Sequence, residues 1–133
     1  HGKTSPDLTR QMIRSARVFV QTNIGPEGFG LSVAEASYMG IPVVGFDVPA
    51  LNEIIVHEKT GLLVPSKDVD GLSKALLSLL TDDKKHAALS QQGPERMRGL
   101  FSPERHLGET LLAYDACLGF RAHVDTTFDA TSN

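Results

Sequence analysis

The chain has 133 residues and a formal net charge of −3, which is enough for one domain with a sizeable core. Its apolar fraction of 41% and charged fraction of 22% are those of an ordinary soluble globular protein. The 13 lysine and arginine residues are scattered, so no basic patch predicts a nucleic-acid or membrane-surface partner. No apolar run is long enough to span a bilayer, and no signal-peptide pattern opens the chain.

The first half of the chain alternates between helical and strand patterns. Ser5-Pro6-Asp7 provides capping and first-turn residues and predicts a helix that ends at about Ser15. The next prediction is a strand over 17–21, followed by a turn-rich connector, a glycine-containing loop and a helix to about Met39. The unbroken apolar run 42–46 predicts a second strand that is buried on both faces.

The chain then becomes mainly helical. Pro49 predicts the start of a short helix that Lys59-Thr60-Gly61 ends, and Leu62-Leu63-Val64 predicts a third strand. A helical stripe of leucine and alanine follows the capping residues 66–68. Asp82 opens a further helix that Gly93-Pro94 is expected to interrupt or weaken, because proline cannot continue an undisturbed helix. The last predicted helix begins at 102–104, and its apolar stripe consists of Leu107, Leu111, Tyr114 and Leu118.

This alternation predicts an α/β fold of parallel βαβ units with right-handed crossovers, that is, a Rossmann-like three-layer α/β/α arrangement with a short parallel sheet. Three strands are about half of a complete doubly wound sheet, so the sheet has an exposed edge and self-association is possible. Residues 1–118 are predicted to form this partial domain. Residues 119–133 carry little periodicity and predict a loosely ordered tail.

Few of the potentially reactive side chains have a spacing that predicts chemistry. The single cysteine, Cys117, excludes an intrachain disulfide and favours a reducing cytoplasm, and its apolar helical context favours a small core residue over a nucleophile. The histidines lack metal-ligand spacing, so no metal site is expected. They are His1, His57, His86, His106 and His123. Ser32 lies in no nucleophile elbow.

The most informative stretch runs from Gly25 to Ala36 and joins a predicted strand to a predicted helix. The N-terminus of such a helix directs free N–H groups and a positive dipole end at the crevice beyond the strand, where phosphate groups bind. Gly28 and Gly30 would let a ligand approach the backbone closely. Two alternatives stay open from the residues alone. Ser32 and Glu35 also fit a capping box, and a loop with two glycines is also typical of a tight turn.

Glu27 and Glu35 form an E-x7-E spacing within Glu-Gly-Phe-Gly-Leu-Ser-Val-Ala-Glu-Ala. This string resembles the signature of the retaining glycosyltransferases of family 4, which have the GT-B fold. The likeness continues through Gly-Ile-Pro-Val-Val at 40–44, Glu-Ile-Ile at 53–55 and Thr-Gly-Leu-Leu-Val-Pro at 60–65, and it covers roughly residues 14 to 118. The ordered succession of motifs is more specific than any one of them. The chain looks like the latter part of the second, donor-binding domain of such an enzyme.

The resemblance implies a role for each residue of the loop. Glu35 would accept hydrogen bonds from the ribose hydroxyls of a nucleotide-diphosphate sugar. Glu27 would be catalytic, facing the donor sugar near the anomeric centre and steadying positive charge on the ring. The backbone of Gly28, Phe29, Gly30 and Leu31 would cap the sugar and diphosphate oxygens. The family reaction keeps the anomeric configuration and needs no metal or other cofactor, since protein groups neutralise the leaving diphosphate.

Some positions depart from the family pattern. Thr22-Asn23 stands where the family commonly has Pro-Ser, and Pro49-Ala50 replaces a glycine pair. The basic residues that such enzymes use against the diphosphate come from earlier strands that this sequence lacks. The nearest cations are Arg10, Arg14 and Arg17, for which solvated helix-face charges are the expected role. Glu53 would either turn toward the crevice or serve as a first-turn acid of its helix.

The sequence therefore predicts the donor-binding part of a cytoplasmic, retaining glycosyltransferase that transfers a sugar from a nucleotide-diphosphate sugar to an acceptor hydroxyl. Its expected partners are the nucleotide-sugar donor and an acceptor domain of the same or a partner chain, without nucleic acid or a membrane span. This piece alone is expected to be inactive. The alternatives are a non-catalytic nucleotide- or sugar-binding module or subunit, and a structural or oligomerisation domain.

Overall fold

The computed structural model describes residues 4–25 and 28–118, which form a small three-stranded sheet and six helices. In chain order the elements are α1 (Pro6–Ser15), β1 (Phe19–Gln21), α2 (Leu31–Tyr38), β2 (Val43–Phe46), α3 (Pro49–Ile54), β3 (Gly61–Val64), α4 (Val69–Thr81), α5 (Asp83–Leu100) and α6 (Pro103–Leu118). The chain divides after Leu100 into two compact units, the first holding the sheet with α1 to α5 and the second holding α6.

The three strands are parallel and lie in the order β1-β2-β3. Phe19 pairs with Val43, and Val43 pairs in turn with Gly61. Each connection between neighbouring strands contains a helix, as parallel pairing requires. The predicted α/β class with a short parallel sheet is confirmed.

The core lies on both faces of the sheet. Val43 belongs to a cluster that includes Val33 and Leu51, whereas its neighbour Val44 packs with Leu79 and Leu89 on the other side. Successive side chains of a strand point to opposite faces, so the continuous apolar run in β2 reflects burial on both. Each side chain of this size that becomes fully buried contributes about 1.5–3 kcal/mol.

Local capping chemistry sets the start of α1 and of α4. Ser5 is the N-cap of α1, and its side chain accepts a hydrogen bond of 3.3 Å from the Leu8 amide. Asp68 caps α4 in the same way, accepting from the Gly71 amide at 2.8 Å. Both caps satisfy amides that have no partner inside the helix. The predicted first helix, ending at about Ser15, is confirmed.

The helix α3 ends earlier than predicted. It stops at Ile54, not at Lys59-Thr60-Gly61, and Ile55 already has extended backbone angles. A separate turn follows, in which the Val56 amide donates to the Thr60 hydroxyl at 2.9 Å and the Lys59 amide donates to the Val56 carbonyl at 3.0 Å. The side-chain bond from Thr60 offers the backbone an alternative to another helical turn.

The predicted interruption of α5 at Gly93-Pro94 is wrong, because the helix is continuous from Asp83 to Leu100. Proline at 94 cannot donate to the carbonyl of Ser90 one turn earlier. That carbonyl faces Gly40, where an added Cβ would lie 3.2 Å from its oxygen. Gly93 allows an even closer approach to α2, since a Cβ there would lie 2.8 Å from the Ser37 carbonyl oxygen. Packing against the end of α2 thus accommodates the proline.

In the second unit, the apolar side chains of α6 at 107, 111 and 114 are exposed. Leu107 is 59% exposed and Tyr114 is 62% exposed. Cys117 is also exposed, so the expectation that it is a core residue is wrong. The physical reason is that no residue from 103 to 117 is buried, so this helix provides no core for a small thiol to join. The predicted tail over 119–133 lies outside the described residues.

Candidate functional site

The loop that follows β1 lies at the carboxyl edge of the sheet. All three strands are parallel, so their carboxyl ends share one edge, and this is where ligands bind in open α/β sheets. The structure describes this loop over 22–25 and 28–30. Glu27 lies outside the described residues, so its position and its catalytic role stay a prediction.

Gly30 is the N-cap of α2. It has left-handed backbone angles, φ 76° and ψ 45°, and its carbonyl accepts hydrogen bonds from Val33 at 2.9 Å and from Ala34 at 3.1 Å. The capping-box alternative is therefore wrong, because Ser32 is already the second residue of the helix and no side chain caps it. The left-handed turn at a glycine starts the helix without a side-chain hydrogen bond to its first amides.

This arrangement leaves the first amides of α2 without partners inside the helix, at the positive end of its dipole. The residues around them are open to solvent. Phe29 is 45% exposed, Leu31 is 64% exposed, and no atom lies within 4 Å of the position that a Cβ would take at Gly28. Gly30 itself is buried against α3, so a ligand with oxygen acceptors can approach the exposed residues Gly28, Phe29 and Leu31, three of the four predicted to cap a sugar and its diphosphate.

Glu35 lies on the outward stripe of α2. Leu31, Glu35 and Tyr38 are spaced four and three apart and so share one helix face, which is exposed or half-buried, while the residues between them include the buried Val33 and Ala36. Long side chains in a helix lean toward its N-terminus. The Glu35 side chain is thus directed toward the same end of α2 as Gly30, roughly 6 Å along the axis from Leu31. Among the described residues, no cation forms an ion pair with Glu35.

The glycine loop is supported from behind by α3. A Cβ added at Gly30 would meet the Cδ1 atoms of Ile54 at 3.5 Å and Leu51 at 3.8 Å. The C-terminal end of α3 is in turn held by Arg96 of α5, whose Nε donates to the Ile54 carbonyl at 2.6 Å and whose Nη2 donates to the Glu53 carbonyl at 2.6 Å. This role of Arg96 was missed from the sequence, since nothing near position 96 points to carbonyl groups more than forty residues away.

The cations and the acid singled out near the site have other roles. Arg10 lies 3.4 Å from Asp7 within α1, and Arg17 pairs with Asp83 at the start of α5. Both arginine side chains are about half exposed, consistent with solvated charges. Glu53 is the fifth residue of α3, so its interpretation as a first-turn acid is wrong. In the described part of the chain, no cluster of three potential metal ligands occurs.

Gly30→Ala tests the left-handed cap. An L-residue in this conformation costs about 1–2 kcal/mol, so we expect the free energy of unfolding to fall by that amount. The matched control is Gly99→Ala in α5, where no atom lies within 4 Å of the new Cβ and the replacement is expected to stabilise the helix by about 0.5–1 kcal/mol. Urea unfolding measures both. Equal effects of the two substitutions would contradict the assigned cap.

No helix among the described residues is both long enough and apolar enough to cross a bilayer.

Comparison with curated proteins gives a match to phosphatidyl-myo-inositol mannosyltransferase of Mycolicibacterium smegmatis, which is 35% identical over 96 residues. The match covers 72% of this chain and 25% of that protein, so the chain spans about a quarter of the relative's length.

Solved structures of GT-B glycosyltransferases share the fold. Sucrose-phosphate synthase of Thermosynechococcus elongatus is 29% identical with a TM-score of 0.78, covering 90% of this chain and 30% of that one. TarM of S. aureus, solved with fondaparinux, α-GlcNAc-glycerol and UDP, is 25% identical with a TM-score of 0.74, covering 80% and 22%. The family model described as "Glycosyl transferases group 1" matches residues 1–96. The chain, with its glycine-capped helix at the carboxyl edge of a parallel sheet, therefore belongs to the group 1 glycosyltransferases.

Proposed function

We propose that this chain is the donor-binding part of a retaining glycosyltransferase that moves a sugar from a nucleotide-diphosphate sugar to an acceptor hydroxyl. The observation that carries the proposal is the exposed N-terminus of α2, with its left-handed Gly30 cap and the outward Glu35 side chain one turn inside the helix. Membership of the group 1 family and the likeness to a TarM structure that contains UDP support the same ligand class.

In this proposal the amides at the start of α2 bind the oxygens of the diphosphate. The helix fixes the orientation of these amides, so they need no rearrangement when negative charge grows on the leaving phosphate. The exposed Phe29 and Leu31 flank these amides and become covered when the donor binds. The backbone of 28–31 thus stabilises the diphosphate most strongly as its bond to the sugar breaks.

The two acids of the E-x7-E spacing then act on different parts of the donor. Glu35, directed toward the N-terminus of α2, accepts hydrogen bonds from the ribose hydroxyls. Glu27, two residues before Phe29 in the loop, faces the sugar and steadies positive charge at the anomeric centre. In this arrangement backbone amides bind the diphosphate, and the two carboxylates contact the ribose and the sugar, so no cation neutralises the diphosphate. The basic groups that do so come from another part of the protein. The isolated chain is accordingly inactive.

The ribose contact can be tested by pairing a protein change with a ligand change. Calorimetry on the full-length protein with UDP, GDP and ADP first identifies the base that binds. We expect Glu35→Ala to weaken binding of that nucleotide about tenfold, since a hydrogen bond to a charged group contributes about 1.5–3 kcal/mol. The same substitution should change the affinity for the 2′,3′-dideoxy nucleotide very little, because the hydroxyls are missing.

Glu95→Ala, which removes an exposed glutamate from α5, is the control and should leave both affinities unchanged. If the full-length protein binds none of the nucleotides or their sugars, the proposed function is wrong. If Glu35→Ala weakens the normal and the dideoxy nucleotide equally, donor binding stands and the ribose contact does not.

A further inference from the structure

A second concave site lies at the same edge of the sheet as the glycine loop. It is a groove of about 680 Å³ at the carboxyl ends of β2 and β3, and its polar lining consists of Asp47, Asn52, His57 and Ser66. Of the apolar residues that line it, Pro65 is exposed, whereas Val64 belongs to the core. Because β2 lies between β1 and β3, this groove is displaced sideways from the loop that follows β1. Nothing in the proposed donor site uses it.

The acid of the groove is held in place from two directions. The Asp47 amide donates to the Val64 carbonyl at 2.7 Å and so ties the ends of the two strands together. Its carboxylate accepts a hydrogen bond from Asn52 Nδ2 at 3.1 Å through Oδ1. This bond leaves Oδ2 available to accept from a ligand. The Asp47 side chain is therefore already oriented before any ligand arrives.

The histidine of the groove is oriented as well. His57 accepts a hydrogen bond from the Leu63 amide at Nδ1, with a distance of 3.0 Å. A ring nitrogen that accepts carries no proton, so in the neutral imidazole Nε2 bears the proton and acts as a donor. The groove thus combines a fixed acceptor at Asp47 with a fixed donor at His57.

The backbone beside the groove is strained. In the described part of the chain, the non-glycine residues with left-handed φ are Glu58 at 61° and Lys67 at 70°. Each directly follows a residue that lines the groove, His57 in one case and Ser66 in the other. Such conformations cost free energy and concentrate at functional sites, where they hold side chains in place.

We propose that this groove is a carbohydrate subsite that binds one neutral glycosyl unit, in addition to the sugar of the donor. Asp47 accepts from a pair of neighbouring hydroxyls, His57 donates to a third, and the apolar face of the ring packs on the exposed Pro65. No lysine or arginine is among the groove residues, which argues against a phosphate. Asp47 is the single acid there, too few carboxylates for a hard cation.

The test is an amide-resolved NMR titration of the full-length protein. The probes are the methyl α-glycosides of mannose, glucose and N-acetylglucosamine, with UDP, GDP and ADP in separate arms. We expect one or more glycosides to shift the Asp47, His57 and Leu63 amides without shifting Gly30, whereas the nucleotide that binds shifts Gly30. Asp47→Asn should weaken the glycoside at least tenfold, and Asp70→Asn, which changes an exposed acid of α4 outside the groove, should leave it unchanged.

Asn52→Ala provides a second variant in case Asp47→Asn fails to fold, and it should weaken the same glycoside by releasing the Asp47 carboxylate. Absence of shifts at the groove with every glycoside, shifts confined to the glycine loop, or groove shifts that survive both substitutions would each overturn the subsite. The two proposals fail separately. A nucleotide response at Gly30 without a groove response removes the subsite alone, and a groove response without binding of any of the three nucleotides removes the donor site alone.

Discussion

Replacing Glu27 with alanine in the full-length protein is expected to lower kcat for sugar transfer by about 10²–10³-fold, the usual effect of removing one group that stabilises transition-state charge. The affinity for the nucleotide should change little, because in the proposed mechanism Glu27 acts on the sugar and Glu35 holds the nucleoside. A change in kcat without a change in donor affinity marks an interaction that forms in the transition state.

Steady-state kinetics give kcat and KM, and calorimetry with the nucleoside diphosphate gives the affinity independently of turnover. Glu95→Ala serves as the control, since it removes an exposed glutamate from α5 and should leave both quantities at the wild-type value. If Glu27→Ala retains full kcat, the catalytic assignment is wrong. If it abolishes nucleotide binding as well, Glu27 belongs with the binding residues.

Arg96→Ala is expected to lower the free energy of unfolding by about 2 kcal/mol, since a hydrogen bond from a charged group contributes about 1.5–3 kcal/mol and the bond to the Ile54 carbonyl is half-buried, whereas the exposed bond to the Glu53 carbonyl contributes less. The substitution leaves the Glu53 and Ile54 carbonyls at the end of α3 without their donors. Because Leu51 and Ile54 of α3 lie behind Gly30, the loss should also loosen the glycine loop.

Arg98→Ala is the matched control for Arg96→Ala. Arg98 is exposed two positions further along the same helix, and its replacement should change stability by no more than about 0.5 kcal/mol. Arg96→Lys can restore one of the two bonds and should recover part of the loss. Urea unfolding followed by circular dichroism measures all three. Comparable effects at 96 and 98 would show that the carbonyl contacts contribute little.

Most of the fold follows from short-range signals. Ser5 and Pro6 fix the start of α1, and the apolar runs of β2 and β3 identify buried parallel strands, because these signals act within a few residues of the chain. The end of α3 did not follow from such signals. Ile54 and Ile55 are both buried, so the hydrophobic pattern does not show that the backbone becomes extended between them.

The continuity of α5 could not be read from the sequence for a different reason. A proline lowers the stability of a helix locally, but here the packing of Gly93 against Ser37 and of Gly40 against the Ser90 carbonyl compensates. Those contacts join positions about fifty residues apart. The capping-box interpretation failed in the same way, since Gly30 and Ser32 are both acceptable N-caps and the packing of Ile54 behind Gly30 selects the first.

The candidate site was only partly accessible from the sequence. The strand–loop–helix order and the glycines placed α2 at the correct edge, and the spacing put Glu35 on the helix. The brace formed by Arg96 and the groove around Asp47 and His57 depend on where separate elements meet, which no local pattern encodes.

The parallel register also has a consequence for how this unit folds. Val43 pairs with Phe19 on one side and with Gly61 on the other. Because both strand pairs are parallel, neither can form as a hairpin between adjacent segments. The chain must close a long loop that contains a helix before the hydrogen bonds of either strand pair can stabilise the structure, which makes nucleation slow. Until both ladders are complete, β2 exposes a valine-rich segment with unpaired amides on each side. The early folding ensemble is thus the stage at which aggregation competes with the native state.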